Sequence, residues 1–270
     1  MKEFIFIDGE PFKEKFPLRS ICYGEGVFET FRWKSRLPVF WNKHIERMRK
    51  GAGVLGIPFA KIEDIREAVE NAVLESKISD AYVKMCLLSK GGSIFYESPQ
   101  ESSLLVIVRE FQPPKEPVKA SVSYFRRNSK SPILGIKSLN YLENVLARRE
   151  ARGLGFDEAI FLNEVGKLAE GSVSNIFWLK EGILFTPSLE CGLLPGVIRG
   201  VMIETAKELG IEVRQGKFDV RRLMSSQGMF LTNSLTGIVS ISQINEFKLP
   251  SDSREIMRLK VATLEKLNWV

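Results

Sequence analysis

Three prolines within five positions interrupt this chain near its middle. The segment reads Gln112-Pro113-Pro114-Lys115-Glu116-Pro117. Because proline lacks a backbone N–H and fixes its φ angle, such a run cannot lie inside a helix or a central strand. A chain of 270 residues is also longer than one ordinary core requires. We therefore predict two domains, over residues 1–112 and 119–270, joined by a proline-rich linker over 113–118.

Strand and helix patterns alternate on both sides of this linker, which predicts a mixed fold of the α/β (α+β) class. Apolar residues recur at helical spacing in five segments, which are 42–56, 62–73, 138–153, 196–209 and 252–267. Short β-rich runs occupy ten more, which are 3–8, 27–33, 82–88, 104–108, 119–125, 158–163, 174–179, 183–186, 228–232 and 237–242.

Composition excludes several classes of protein. Apolar residues make up 44% of the chain and no apolar run approaches the ~20 residues of a membrane helix. The N-terminus lacks the apolar core of a signal peptide, so we expect a cytoplasmic protein without membrane contact. The net charge of +6 comes from basic residues interleaved with acidic ones. That pattern favours an ordinary solvated surface that attracts anionic ligands, and not nucleic-acid binding.

Metal and histidine chemistry are equally restricted. Cys22, Cys86 and Cys191 stand at scattered positions and form no CxxC pair, so neither a zinc site nor a disulfide framework is indicated. His44 is the single histidine of the sequence, which excludes any site that needs two. We expect His44 to be structural or a helix N-terminal residue, and we expect no metal.

A lysine, an acid and a helix start follow one another in the C-terminal half. Lys137 precedes a predicted helix, Glu170 precedes an apolar strand, and Gly196-Val197-Ile198 follows Pro195. An enzyme that holds pyridoxal phosphate needs an amine to bond the aldehyde, a carboxylate for the pyridine nitrogen and an anion site for the phosphate. Each feature alone is common, since most such lysines and acids are surface residues.

Two further features are compatible with a phosphate site. The polar turn at 232–237 offers hydroxyl and N–H groups between two predicted strands, although an ordinary hairpin loop would look the same. Arg47, on the first long helix, would be a bidentate phosphate ligand if it pointed inward, whereas most such arginines are solvated.

Together these motifs resemble the class IV aminotransferases, the fold-type IV pyridoxal phosphate enzymes. The resemblance is near full length. It begins at Tyr23-Gly24-Glu25-Gly26-Val27-Phe28-Glu29-Thr30, includes the His44-x-x-Arg47 pair and runs through Ser240. The family includes branched-chain aminotransferases, D-amino acid aminotransferases and aminodeoxychorismate lyases. Its ordered set of motifs is specific, although no single piece is.

The resemblance implies a role for each matched residue. Lys137 would be the catalytic Schiff-base lysine and proton shuttle, and Glu170 would bind the pyridine nitrogen. The remaining cofactor contacts would come from Arg47, Leu194, the N–H groups of Val197 and Ile198, and Ser234. The family fold implies a smaller N-terminal α/β domain, a larger C-terminal domain and the cofactor between them. It also implies a homodimer that acts on an amino acid and a 2-oxo acid with ping-pong kinetics.

The family member is harder to predict. The loop from Ser89 to Tyr96 lacks the carboxylate-binding arginine that D-amino acid aminotransferases and lyases carry there, and Lys90 is its only cation. We expect an apolar substrate pocket, formed by Phe28, Phe31, Ile94, Phe95, Tyr96 and Leu235. That pocket favours an aminotransferase for apolar, branched-chain L-amino acids.

Other motifs favour aminodeoxychorismate lyase, the leading alternative. Lys137-Ser138-Leu139-Asn140 and Thr232-Asn233-Ser234-Leu235 are closer to the lyases than to the branched-chain enzymes. The lyase would use Lys137 and Glu170 to eliminate pyruvate and form 4-aminobenzoate. A D-amino acid aminotransferase and a non-catalytic cofactor carrier are the weaker alternatives.

Overall fold

The computed structural model describes residues 5–8, 10–12, 17–91, 97–250 and 253–269. The helices are α1 (Leu18–Tyr23), α2 (Trp41–Val54), α3 (Ile62–Ser76), α4 (Leu142–Gly153), α5 (Val197–Glu208) and α6 (Arg254–Lys266). The strands are β1 (Ile5–Ile7), β2 (Glu10–Phe12), β3 (Gly26–Lys34), β4 (Asp80–Lys90), β5 (Glu101–Glu110), β6 (Val118–Arg127), β7 (Glu158–Asn163), β8 (Leu168–Gly171), β9 (Asn175–Lys180), β10 (Ile183–Pro187), β11 (Val213–Gly216), β12 (Gly228–Asn233), β13 (Gly237–Ile244) and β14 (Phe247–Lys248).

The N-terminal half is built on an antiparallel sheet of order β3-β4-β5, covered on one face by α2 and α3. Apolar residues of α2 recur at Trp41, Ile45, Met48 and Ala52, which places them on one side of the helix. They pack against the face of β3 that carries Phe31, in one continuous core.

The C-terminal half is built on a mixed sheet of order β11-β10-β9-β12-β13-β6-β7-β8, with β14 paired to β13. One core lies on each face of this sheet. The first contains Ile176 and Trp178, and the second contains Phe177 and Phe230 packed under α5 and α6. Because successive strand residues point to opposite faces, both faces of β9 are buried, and its run of apolar residues is continuous.

The two sheets lie on either side of the proline-rich segment, since β5 ends at Glu110 and β6 begins at Val118. The mixed α/β class is confirmed, and the division into domains stays a prediction. A backbone hydrogen bond of 3.0 Å from Arg32 N to Ser234 O joins the sheets directly. No helix in the described ranges combines the length and the apolar character needed to cross a lipid bilayer.

The helix predicted over 138–153 begins later, at Leu142. The segment before it pairs with β3 instead. The Phe28 N–H donates to the Lys137 carbonyl oxygen at 2.8 Å, and the Leu139 N–H donates to the Gly26 carbonyl oxygen at 2.9 Å. Tertiary pairing thus replaces the first helical turn, and it fixes the backbone of Lys137 against the N-terminal sheet.

Candidate active site

A cavity of about 690 Å³ lies where the two sheets meet. A volume of this size accommodates a cofactor together with a small substrate. Its walls come from β3 and β4, from the segment between β6 and α4, from the β8–β9 turn, from the start of α5 and from the β12–β13 turn. Lys137, Glu170 and Val197, which are far apart in the sequence, all line it.

Lys137 lies in the loop that pairs with β3. Its Nζ atom is 4.5 Å from the centroid of the Phe28 ring and 5.5 Å from the centroid of the Tyr141 ring. The pKa of Lys137 is lowered to about 8. Burial of the amine is the largest cause, and the positive charge of Arg47 is the second. A useful fraction of the amine is therefore neutral and nucleophilic near neutral pH.

Glu170 faces the cavity from β8. Its Oε2 atom accepts the Leu194 N–H at 3.0 Å, and its Oε1 atom lies 3.3 Å from Nη2 of Arg127. Burial raises the pKa of Glu170, and the charge of Arg127 is the largest opposing influence. One backbone donor and one cation therefore hold this carboxylate in the cavity wall.

Arg127 is a site residue that the sequence analysis missed. Its guanidinium carbon lies 3.9 Å from the centroid of the Phe161 ring, and Nη1 donates to Glu143 at 3.1 Å. The register between β6 and β7 shifts between Val122 and Arg126. Because of this irregularity, strand alternation in the sequence could not tell which of the two adjacent arginines points inward.

The start of α5 presents backbone N–H groups to the cavity. Gly196 is the N-cap residue, and no side chain caps the helix. Val197 and Ile198 line the cavity, and within the described residues their N–H groups have no acceptor. A Cβ atom at Gly196 would lie 2.0 Å from Oδ1 of Asn175, so this close approach requires glycine. Free N–H groups at a helix start bind anions such as phosphate.

The β12–β13 turn forms another part of the wall, which includes Ser234 and Leu235. The Oδ1 atom of Asn233 accepts the N–H groups of Leu235 at 2.9 Å and of Thr236 at 3.0 Å, which fixes the turn. The neighbouring Thr232 has a buried Oγ1 atom without a hydrogen-bond partner among the described residues. A ligand oxygen in the cavity would satisfy that hydroxyl.

Arg47 lies on α2 and points inward, so that its side chain lines the cavity. Nε and Nη2 donate to the two carboxylate oxygens of Glu29 at 2.7 and 2.6 Å, and Nη1 donates to the Pro195 carbonyl oxygen at 3.1 Å. The Nδ1 atom of His44 lies 2.7 Å from Oε2 of Glu29. Although burial strongly favours the neutral acid, Arg47 and then His44 lower the pKa of Glu29 to about 2.

The predicted substrate pocket is only partly present. Phe28 and Leu235 line the cavity, but Phe31 does not. Phe31 is fully buried in the N-terminal core, where its ring centroid lies 5.7 Å from that of Trp41. Residues three apart on a strand point to opposite faces, so Phe28 and Phe31 cannot share a pocket. The other predicted pocket residues lie outside the described part of the chain, and they are Ile94, Phe95 and Tyr96.

Polar residues of β3 and β4 stand where apolar ones were expected. Thr30, Tyr82 and Lys84 line the cavity, and Thr30 is the cross-strand partner of Lys84. The Lys84 Nζ atom lies 4.2 Å from the centroid of the Phe28 ring. Lys84 is thus a cation of the cavity wall, whereas the sequence analysis considered Lys90 as the nearby cation. Alternation along β4 could have identified it, because Tyr82 and Lys84 are two residues apart.

These groups fit pyridoxal phosphate. An amine with a pKa of about 8, a buried carboxylate, an inward arginine and unpaired N–H and hydroxyl groups line one cavity. They match the aldehyde, the pyridine nitrogen and the phosphate of that cofactor. The fold and the site together define a pyridoxal phosphate enzyme.

The chain belongs to the class IV aminotransferase family, whose model matches residues 26–244. Aminodeoxychorismate lyase of Bacillus subtilis is 32% identical, over 93% of this chain and 90% of that protein. A Legionella pneumophila structure, provisionally named a 4-amino-4-deoxychorismate lyase, is 30% identical with a TM-score of 0.88, over 92% and 93% of the two chains. A branched-chain aminotransferase of Thermoproteus uzoniensis, solved with norvaline, is 28% identical with a TM-score of 0.85, over 98% and 95%.

This membership confirms that the cofactor is pyridoxal 5'-phosphate and that the protein is an aminotransferase or a lyase. The cavity gathers every predicted cofactor residue: Arg47, Lys137, Glu170, Leu194, Val197, Ile198 and Ser234. Their individual roles stay predictions.

Proposed function

We propose that this protein is an aminodeoxychorismate lyase, which releases pyruvate from its substrate and forms 4-aminobenzoate. The observation that carries the proposal is the polar, cationic wall of Thr30, Tyr82 and Lys84 in the cavity that Lys137 also lines. Each product keeps a carboxylate, so the substrate has two. A wall of this kind suits a dianion better than the aliphatic side chain of a branched-chain amino acid.

The apolar substrate pocket that the sequence predicts has less support than this polar wall. Phe31 lies in the core and contributes nothing to the cavity surface. Among the described residues, the basic side chains that line the cavity are Arg47, Lys84, Arg127, Lys137 and Arg148. Glu143 and Glu170 are the acids of that wall, so positive groups outnumber negative ones. The surplus favours an anionic cofactor and an anionic substrate together.

The residues of the chain have distinct tasks in this reaction. When bound, pyridoxal phosphate supplies an electron sink for negative charge that develops on the substrate carbon. Lys137 Nζ, neutral in part because its pKa is about 8, accepts the proton from the carbon that bears the amino group. Breaking the carbon–oxygen bond to the enolpyruvyl group then releases enolpyruvate, which takes up a proton to become pyruvate. Glu170, held by Leu194 and Arg127, would place its carboxylate beside the pyridine nitrogen of the bound cofactor.

An aminotransferase for apolar L-amino acids is the second candidate. The observation in its favour is the pair Phe28 and Leu235, which adds apolar surface to the same cavity. The likeness to the Thermoproteus uzoniensis branched-chain aminotransferase also supports it. The first proton transfer at Lys137 Nζ would be the same in both reactions, and the fate of the substrate would differ.

One pair of assays distinguishes the two candidates. Purified holoenzyme is given aminodeoxychorismate, and 4-aminobenzoate is followed by fluorescence while pyruvate is followed with a coupled dehydrogenase. In parallel it is given L-leucine or L-isoleucine with 2-oxoglutarate. Equal amounts of 4-aminobenzoate and pyruvate, without glutamate formation from leucine, support the lyase. Rapid glutamate formation without 4-aminobenzoate overturns it in favour of the aminotransferase.

We also propose that the protein acts in the cytoplasm as a homodimer, as the family resemblance implies. Apolar side chains stand exposed on and near α4, including Leu142 at 66% and Tyr124 at 83% exposure. Such side chains are what a subunit interface covers. Sedimentation velocity tests the dimer, since a species near the monomer mass of 30.6 kDa would exclude it.

A further inference from the structure

Glu29 is a fully buried carboxylate that does not line the cavity. It lies on β3 between two cavity residues, Phe28 and Thr30, and its side chain points to the opposite face, toward α2. There it accepts hydrogen bonds from Arg47 and contacts His44. It therefore cannot touch a ligand directly, and any effect on the site must pass through Arg47.

The hydrogen bonds of Arg47 leave a defined set of donors. A guanidinium has five N–H groups. Nε and one N–H of Nη2 go to Glu29, and one N–H of Nη1 goes to the Pro195 carbonyl oxygen. One N–H on each terminal nitrogen has no acceptor within the described residues. The donors that remain belong to the two terminal nitrogens, the pair with which a guanidinium binds a phosphate in bidentate fashion.

His44 completes the arrangement from the other side. Burial lowers the pKa of His44, so the neutral imidazole donates its Nδ1 hydrogen to Oε2 of Glu29. The carboxylate thus accepts from two side chains that lie one helical turn apart on α2. This double attachment fixes the rotamer of Glu29, and Glu29 in turn fixes the plane of the Arg47 guanidinium.

We infer that Glu29 is a positioning residue for cofactor binding, which holds Arg47 side-on so that its two remaining N–H groups face the phosphate of pyridoxal phosphate. The inference rests on the proposed phosphate role of Arg47. Without Glu29, the guanidinium would be free to rotate about its side-chain bonds, and bidentate binding would first have to order it. The affinity of the protein for the phosphate group would then fall, whereas its contacts with the aldehyde and the ring would be unaffected.

The test compares two ligands that differ only in the phosphate. Apoenzyme is titrated with pyridoxal 5'-phosphate and with pyridoxal, and both are followed by absorbance. Glu29→Gln keeps the size of the side chain but cannot accept from both Arg47 nitrogens. We expect it to weaken pyridoxal phosphate binding by about tenfold and to leave pyridoxal binding within about twofold. Equal losses for both ligands, or no loss for either, would overturn the inference.

Two further variants show whether a negative result contradicts the role of Glu29 or the role of Arg47. Glu25→Gln removes a carboxylate from a second partly buried Arg–Glu pair, formed with Arg19 outside the cavity, and should leave the affinity for both ligands unchanged. Arg47→Met tests the underlying phosphate role. If Arg47→Met leaves the preference for the phosphorylated ligand intact, the proposed role of Arg47 fails. If Arg47→Met removes that preference but Glu29→Gln does not, Arg47 binds phosphate without help from Glu29 and the inference alone fails.

Discussion

The Nζ atom of Lys137 lies 4.5 Å from the centroid of the Phe28 ring, and the Nζ atom of Lys84 lies 4.2 Å from the same centroid. One aromatic ring of β3 therefore contacts two amines of the cavity. The cation–π attraction stabilises each charged amine, whereas the two positive charges disfavour one another. The protonation of Lys137 is consequently tied to residues of the N-terminal sheet as well as to its own loop.

The first prediction concerns the titration of Lys137. Because its pKa is lowered from 10.5 to about 8, the rate at which apoenzyme forms its bond to the cofactor should rise with pH through a midpoint near pH 8. Removing the like charge in Lys84→Met should move this midpoint upward. Stopped-flow absorbance gives both profiles. Lys137→Ala is the control and should show no visible band from the bonded cofactor. A midpoint near 10.5 in the unmodified protein would contradict the prediction.

The second prediction concerns Glu170. Glu170→Gln keeps the shape of the side chain and can still accept the Leu194 N–H, but it removes the negative charge beside the proposed position of the pyridine nitrogen. We expect cofactor to be retained and turnover to fall by about a hundredfold or more. Steady-state kinetics on fully loaded enzyme measures the effect. Unchanged turnover would remove the proposed role of this carboxylate.

The sequence was informative wherever local pattern and local chemistry agree. Lys137, Glu170 and the helix start at Val197 were found because each stands beside a strong turn or helix signal, and the cavity contains all three. Helix α2 followed from apolar residues that recur at helical spacing. The family resemblance then predicted that these separate motifs lie together in the fold, which their spacing along the sequence alone cannot predict.

The sequence was uninformative where tertiary pairing decides. Arg127 points inward because of a register irregularity, and the first turn expected at Ser138 is replaced by pairing with β3. Phe31 was misplaced for a different reason, because apolar character was weighed without strand alternation. Short elements such as α1 and β8 lack enough residues to show a period, so they were not predicted as helix or strand.

The third prediction concerns the buried pair of Arg127 and Glu170. Arg127→Met leaves Glu170 and the face of the Phe161 ring without the cation, so the pKa of Glu170 should rise further and the fold should weaken. Breaking one side of a buried ion pair typically destabilises by about 3 kcal/mol or more. Urea unfolding measures this loss. Arg126→Met, at the exposed neighbour, should change stability by less than about 0.5 kcal/mol. Equal losses of stability in the two variants would contradict a stabilising buried ion pair between Arg127 and Glu170.

The fourth prediction separates substrate binding from catalysis at Lys84. If Lys84 binds a substrate carboxylate, Lys84→Met should raise KM for aminodeoxychorismate by about tenfold to a hundredfold, while Lys84→Arg should restore most of the affinity. Cofactor loading should stay the same in both, because Lys84 belongs to the wall of β4 and not to the start of α5. Progress curves at several substrate concentrations give KM and kcat separately. A lowered kcat with unchanged KM would place Lys84 outside the substrate contact.

The fifth prediction is a pH dependence of stability at Glu29. Its folded-state pKa of about 2 lies below the ordinary value of 4.5, so protonation is disfavoured in the folded protein. The ionised side chain therefore stabilises the fold fully above pH 4.5, and that contribution declines as the pH falls toward 2. Between pH 5.5 and pH 3 the stability advantage of the unmodified protein over Glu29→Gln should shrink by about 2 kcal/mol. Glu63→Gln, in the first turn of α3 and solvent-exposed, supplies the control. Urea unfolding at a series of pH values provides the measurement, and an advantage that stayed constant down to pH 3 would mean that the Arg47 and His44 contacts do not hold this carboxylate ionised.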